Sequence, residues 1–302
     1  MELDYFIVDV FTDAALKGNP LSVVMNTCGL ATEHMQTIAR EFNLSETTFI
    51  ERRTEEVERA EGVRVRIFST QEELNFAGHP TLGTASVLML QAPETLRDEA
   101  VTLALNIGAV PVRFVGMHRD AKGLFGEMTQ RDPEFGTELD AKEVARLTGL
   151  NLDDLNPALP PQTVSTGTAF AIVPLRSSEA LARLRVDQHE ATPWLRERGA
   201  RWFYVLGPTG ERPGCLEPSW RARMQFYGGE DPATGSAAGC AISYLVRCGA
   251  VVSGQRIHLR QGVEIGRTSD IYLSARRETA GITDVRVAGS TVLVAKGRLF
   301  LP

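Results

Sequence analysis

Two short segments of this chain look alike and stand half a chain apart. Phe76-Ala-Gly-His-Pro-Thr-Leu-Gly-Thr-Ala-Ser-Val-Leu and Asp231-Pro-Ala-Thr-Gly-Ser-Ala-Ala-Gly-Cys-Ala-Ile each pass from a loop into a helix rich in small residues. Gly78 and Gly235 are 157 positions apart in a chain of 302, the offset that two related halves would produce. A helix with so few large side chains can be enclosed closely on every side. The first amides of such a helix and its positive dipole end also suit an anion such as a carboxylate. Packing alone accounts for the same composition, and the two readings are compatible, because a buried helix still needs partners for its first amides.

At this length two domains of roughly 150 residues are expected, since single cores stop growing near twice that size. Most of the remaining sequence reads as short strands. In the first half these are Leu3 to Val10, Leu21 to Met25, Thr47 to Glu51, Val63 to Ser69, Val101 to Leu105 and Ala109 to Phe114. In the second half they are Thr168 to Val173, Arg201 to Leu206, Arg223 to Tyr227, Arg256 to Arg260, Ile271 to Ala275, Val285 to Val287 and Val292 to Ala295. Val63-Arg-Val-Arg-Ile-Phe alternates as an antiparallel strand with one wet face does. Helices are expected over Thr32 to Phe42 and Ala141 to Thr148, in pieces between Ser178 and Arg198, and from Gly78 and Gly235. Strands and helices do not alternate regularly, which favours an α+β class with sheets curled around a few helices over a doubly wound parallel sheet.

Several classes of function lose their support here. A formal charge of −6 and a pI near 5.5 argue against a nucleic-acid footprint. Arg64 with Arg66 suits a solvent face, whereas Arg221 with Arg223, close to the second helix start, leaves phosphate binding open. Apolar runs such as Thr81 to Leu90 and Ala237 to Val246 fall short of the roughly 18 residues of a membrane span. The acidic N-terminus runs straight into a strand pattern without the marks of a signal peptide, so a cytosolic protein is expected. Cys28, Cys215, Cys240 and Cys248 show no C-x-x-C spacing and are expected to be reduced. Cys240, near a helix start, is where a thiol pKa can fall. There is no phosphate loop, no G-x-G-x-x-G and no H-E-x-x-H. His34, His79, His118, His189 and His258 are scattered, so no metal site is expected.

A few residues could carry chemistry. Glu46 sits where the helix from Thr32 gives way to a β-branched strand. A carboxylate buried at such a junction has its pKa raised toward the range useful for proton transfer; read locally, it is equally an ordinary polar residue at a strand start. His79 combines a titratable ring with a helix N-terminus and a following proline. Asp231 suits an N-cap or first-turn position of the second helix. Ser236, with Gly235, could cap that helix or donate to an anion.

These residues sit in a series of blocks: Asp9-Val-Phe-Thr, Gly18-Asn-Pro-Leu-Ser-Val-Val, Asn43-Leu-Ser-Glu-Thr-Thr-Phe, Phe76-Ala-Gly-His-Pro-Thr-Leu-Gly-Thr-Ala, Glu230-Asp-Pro-Ala-Thr-Gly-Ser-Ala-Ala-Gly and Gln261-Gly-Val-Glu-Ile-Gly-Arg. Together and in this order they resemble the PhzF family of phenazine-biosynthesis-like isomerases, within the diaminopimelate-epimerase superfamily. The resemblance implies two similar domains, each a β-barrel-like sheet wrapped around a central helix. Residues 1–130 would carry Glu46 and His79, and residues 131–302 Asp231 and Ser236, with the final strand crossing back to the first domain. It also implies an active site in the cleft between them, a homodimer, and catalysis without a cofactor. Glu46 would move a proton between carbons of a small carboxylated substrate, as in the isomerisation of trans-2,3-dihydro-3-hydroxyanthranilate. His79 and Asp231 would assist, and Asn19, Ser45, Gly78, Gly235 and Ser236 would bind substrate. The superfamily's racemases use two cysteines, and neither Gly78-His79 nor Gly235-Ser236 supplies one. A same-fold epimerase or a non-catalytic carboxylate-binding protein remains the alternative. Two departures, a short Met224-to-Pro232 stretch and Thr268 where proline is common, bear on the shape of the substrate pocket.

Overall fold

The computed structural model describes residues 1–91, 100–114, 123–210, 217–226 and 229–301; Cys215, His118 and Tyr227 lie outside them. The protein forms two compact units, one of Met1–Thr129 with Ala288–Pro302 and one of Gln130–Val287.

The first unit contains β1 (Glu2–Val10), β2 (Asn19–Val24), α1 (Thr32–Phe42), β3 (Glu46–Glu51), α2 (Glu55–Glu61), β4 (Val63–Ser69), β5 (Glu73–Leu74), α3 (Gly78–Gln91), β6 (Ala100–Leu105), β7 (Gly108–Phe114) and β8 (Leu124–Thr129). Among the described residues, β1-β2-β3-β4-β6-β7-β8 and the last strand of the protein run in that order, and the last strand pairs back onto β1. The sheet is thus a closed eight-stranded barrel, which removes exposed strand edges.

Helix α3 fills it. Every residue from Gly78 to Met89 is buried, the signature of a helix enclosed on all faces. Its small residues decide how near the strands come: a Cβ on Gly83 would stand 2.7 Å from both Leu21 and Val10 side chains, and one on Gly126 of β8 would stand 2.7 Å from Leu82. Its hydroxyls are satisfied inside the barrel, Thr81 and Ser86 by donating to Ala77 O and Leu82 O, and Thr84 by sharing a 2.8 Å bond with Thr48.

The second unit holds β9 (Glu134–Glu138), α4 (Ala141–Thr148), β10 (Gln162–Ser165), β11 (Ala169–Pro174), α5 (Gln188–Glu197), β12 (Trp202–Pro208), β13 (Ser219–Arg223), β14 (Gln225–Phe226), β15 (Gly229–Glu230), α6 (Gly235–Arg247), β16 (Ile257–Gln261), β17 (Ser269–Glu278) and the start of the last strand, β18 (Gly281–Phe300), whose residues from Ala288 onward belong to the first unit. Its sheet runs β9-β10-β11-β12-β13-β16-β17-β18. Gly235 to Val246 of α6 are all buried. This helix packs on β17 and also on β10 and β11, which lie four to five places away in the sheet. Flat strands at roughly 4.8 Å spacing would hold those edges some 20 Å apart, so the sheet curls around the helix.

The two units repeat one topology. β1–β2 and β10–β11 are antiparallel, β2–β3 and β11–β12 parallel, β3–β4 and β12–β13 antiparallel, β4–β6 and β13–β16 parallel, and β6–β7 and β16–β17 antiparallel. In each, the crossover between the second parallel pair is the central helix, and these helices begin at Gly78 and Gly235. A mixed α+β fold of this kind is what the sequence leads one to expect. Several elements differ. The strand expected over Arg223 to Tyr227 is divided between the end of β13 and the short β14 (Gln225–Phe226), and the two short strands expected near the C-terminus are one, β18. Arg64 and Arg66 lie on the wetter side of β4, with Arg66 paired to Glu73, whereas Arg223 is not a phosphate site, being bound to the carboxylate of Glu230.

Candidate active site

In the first unit the site begins with the end of α1. Met35, Ile38 and Ala39 bury one face of that helix against Leu3, Val24, Phe49 and Phe68. Asn43 then stops it in the left-handed region (φ 52°), its N–H bonded to Ala39 O, a conformation Asn tolerates better than most residues. Two residues later Ser45, half-buried, leads into Glu46, the first residue of β3, held between Leu21 of β2 and Ser69 of β4.

The Glu46 side chain keeps 15% of its surface and meets a His79 side chain that keeps 3%, Oε2 to Nε2 at 3.3 Å. On the other edge of the ring, Nδ1 lies 3.2 Å from the amide nitrogen of Asn19, which is fully buried at the start of β2. That nitrogen can only donate, so Nδ1 accepts and the ring proton sits on Nε2, toward Glu46. Burial holds the imidazole far below its ordinary pKa, at about 3, so His79 is neutral at ordinary pH. Asn19 is itself set by the preceding loop, where the buried carboxylate of Asp9 accepts the Leu16 N–H at 2.6 Å. Gly18 (φ 66°) passes so near Val10 O that a Cβ would stand 2.3 Å from it.

In the second unit Asp231 is buried three residues before Thr234, which holds the N-cap position of α6 without a side-chain bond to its amides. The sequence suggests Asp231 as a cap; instead its Oδ2 accepts the Thr234 hydroxyl at 2.7 Å. Gln261, the last residue of β16, and Tyr204 of β12 complete a buried polar cluster around it. Gly235 and Ser236 form the first turn of α6, both buried. Gln130 lies across that turn, donating to Gly235 O at 3.0 Å and accepting from Thr166 at 2.7 Å. Cys240, whose place near a helix start suggests a lowered pKa, is the opposite case: burial pushes its thiol up to about 12.

Of the residues singled out from sequence, Asn19, Glu46 and His79 meet in one cluster of the first unit. Asp231, Gly235 and Ser236 surround the start of α6 in the second. Thr234, Gln261 and Tyr204 are not singled out from the sequence, although Thr234 and Gln261 lie in two of the six family-like blocks; buried amides and hydroxyls leave no periodic pattern. Among the described residues no group of three or more His, Cys, Asp or Glu could hold a metal ion, and no helix is long and apolar enough to cross a membrane.

A family model for phenazine biosynthesis-like proteins, PhzC/PhzF, matches residues 8–297. The trans-2,3-dihydro-3-hydroxyanthranilate isomerase of Pseudomonas aeruginosa is 36% identical over 302 residues, with 98% of this protein and 99% of that one covered. The enzyme of the same name from Pseudomonas chlororaphis is 34% identical over 98% of this protein and 99% of its own length. A solved structure described as a predicted epimerase from Pseudomonas aeruginosa superposes with a TM-score of 0.81 at 34% identity, with 99% of this protein and all of that one covered. A PhzF family protein of Bacillus anthracis shares the fold at a TM-score of 0.83 and 24% identity over the full length of both. With the family's blocks spread over both units, the chain belongs to the phenazine biosynthesis-like PhzC/PhzF family and is an isomerase of the PhzF type.

Proposed function

We propose that Glu46 is the acid–base group of a cofactor-independent proton shift on a small carboxylated substrate, trans-2,3-dihydro-3-hydroxyanthranilate or a cyclic amino acid like it. The Glu46 carboxylate takes a proton from one ring carbon, the electron pair moves through the adjoining double bond, and the same carboxyl group returns the proton to a second carbon. The observation that carries this reading is the 3.3 Å approach of a neutral His79 to Glu46. An imidazole kept neutral by burial does not take the proton itself, which leaves the carboxylate as the group that carries it.

In this reading Asp231 holds a polar substituent, and Ser236 with the helix starts at Gly78 and Gly235 binds the substrate carboxylate. Ser45 contacts substrate beside Glu46, and Asn19 serves the site through His79. The protein works as a cytoplasmic homodimer. A thiol racemase has less to recommend it, since Cys240 is buried and far from ionising at neutral pH.

Glu46→Gln preserves shape and removes the base. In deuterated water with trans-2,3-dihydro-3-hydroxyanthranilate, the unaltered protein should introduce deuterium at carbon, and the variant should lose at least about a hundred-fold in rate. Undiminished exchange in a folded Glu46→Gln variant rejects the role of Glu46.

A further inference from the structure

We propose that Gln261 is a positioning residue that fixes the direction of the hydrogen bond from Thr234 to Asp231, so that Asp231 meets its ligand as an ionised acceptor. The inference rests on the reading of Asp231 as a substrate-binding residue and states which substrate group it takes. Gln261 is fully buried, and its amide makes four hydrogen bonds. Oε1 accepts from the Thr234 backbone N–H at 3.1 Å and from the Tyr204 hydroxyl at 3.0 Å. Nε2 donates to Asp231 O at 2.8 Å and to Thr234 Oγ1 at 2.9 Å.

The orientation of this amide follows from its neighbours. A backbone N–H cannot accept and a backbone carbonyl cannot donate, so the atom facing Thr234 N is the oxygen and the atom facing Asp231 O is the nitrogen. Thr234 Oγ1 therefore accepts a hydrogen bond from Gln261. Its own single proton is directed to the remaining partner, Asp231 Oδ2 at 2.7 Å. A carboxylate that accepts a hydroxyl fixed in this sense is favoured in its charged form. Asp231 then selects a substrate group that donates, an amino or hydroxyl substituent, over one that only accepts. Every member of the cluster belongs to the second unit, and reversing the amide would set donor against donor and acceptor against acceptor inside the fold.

The test is the titration of the Asp231 carboxyl group, followed by NMR in the full-length protein labelled with 13C-aspartate and assigned with Asp231→Asn. Thr234→Val removes the hydroxyl. Gln261→Met removes the donor that turns the hydroxyl toward Asp231 and adds no charge. Each should raise the midpoint by about one pH unit, the worth of one charge-assisted hydrogen bond, and Thr234→Ser should restore it. An Asp231 midpoint unmoved in folded Thr234→Val overturns the proposal, and so does one unmoved in Gln261→Met. If Gln261→Met does not fold, the two Thr234 variants decide. Deuterium uptake into trans-2,3-dihydro-3-hydroxyanthranilate is read separately on the unaltered protein. Its failure would reject that compound as the substrate and leave the titration result standing.

Discussion

Arg223 grips both oxygens of Glu230 with one edge of its guanidinium, Nε to Oε1 at 2.9 Å and Nη2 to Oε2 at 2.5 Å, with only 5% and 6% of the two side chains exposed. The same spacing recurs 157 residues earlier, where Arg66 binds Glu73 through the same atoms at 2.8 and 2.6 Å. Arg223 ends β13 and Arg66 stands in the middle of β4, and in each unit the glutamate stands five residues before the central helix begins. The pair therefore anchors the loop that delivers the first turn of α3 or α6.

Burial makes the two clasps unequal. Breaking a buried pair leaves one charge without its partner, at about 3–5 kcal/mol, whereas a more exposed pair is worth about 1 kcal/mol or less. Arg66 and Glu73 keep 16% and 25% of their side-chain surface. Urea unfolding should show Glu230→Gln losing about 3 kcal/mol and Glu73→Gln clearly less. Equal losses would mean that the surrounding packing, and not the ion pair, holds the second loop.

His79 gives the stability a pH dependence of known sign. Its folded pKa, about 3, lies below the roughly 6.5 of an unfolded histidine. Between those values the unfolded state binds a proton that the folded state does not. The contribution is fully present above about pH 6.5 and is lost as pH falls toward 3, by at most about 1.4 kcal/mol per pH unit. Chemical denaturation between about pH 5 and 7, above most carboxylate titrations, should show a slope that His79→Gln reduces by up to that amount. A slope identical in the two proteins would mean that His79 protonates in the fold.

Asn19 should hold the tautomer of that ring. Replacing it by Leu removes the donor to Nδ1 and leaves a buried acceptor unsatisfied, a cost of about 1–3 kcal/mol. The 15N shifts of His79 should report a proton on Nε2 in the unaltered protein and a mixture of tautomers in Asn19→Leu. A ring protonated on Nδ1 in the unaltered protein would reverse the assignment.

How much of the fold is legible in the sequence depends on whether a feature leaves a pattern. The central helices announce themselves by small residues at Gly78 and Gly235, and β4 by its alternation from Val63. Helix α2 has no buried residue and is held by charge pairs such as Arg59–Glu55 and Arg52–Glu58, so it has no hydrophobic period to detect. β9 is almost wholly exposed and β10 is largely polar despite its burial; neither alternates. β18 reads as two strands because Ala288-Gly289-Ser290 has the composition of a break, yet the strand continues through it. At the site, Glu46 is locally an ordinary strand-start carboxylate. What distinguishes it is His79, brought to it by the pairing of β2 with β3 around α3, and that information is not local. The Thr234–Gln261 bond likewise joins residues that only the folded sheet makes neighbours.

A close approach to α6 tests whether the second core is a jigsaw or merely full. A Cβ on Gly239 of α6 would lie 2.0 Å from Gln130 Oε1. A free side-chain end could swing away, but Gln130 is tied at both ends, to Gly235 O and to Thr166, and Thr166 also contacts Cys240. Gly239→Ala therefore has to break buried hydrogen bonds or displace the helix, and should cost about 2–4 kcal/mol. Gln130→Ala alone should also destabilise, by losing those bonds. Combined, the two changes share one cause, because removing the Gln130 amide makes room for the methyl group. The double variant should thus be more stable than the sum of the single losses implies, by about 1 kcal/mol or more. Strict additivity in urea unfolding would show that the methyl group is accommodated elsewhere and that Gln130 does not set the approach to α6.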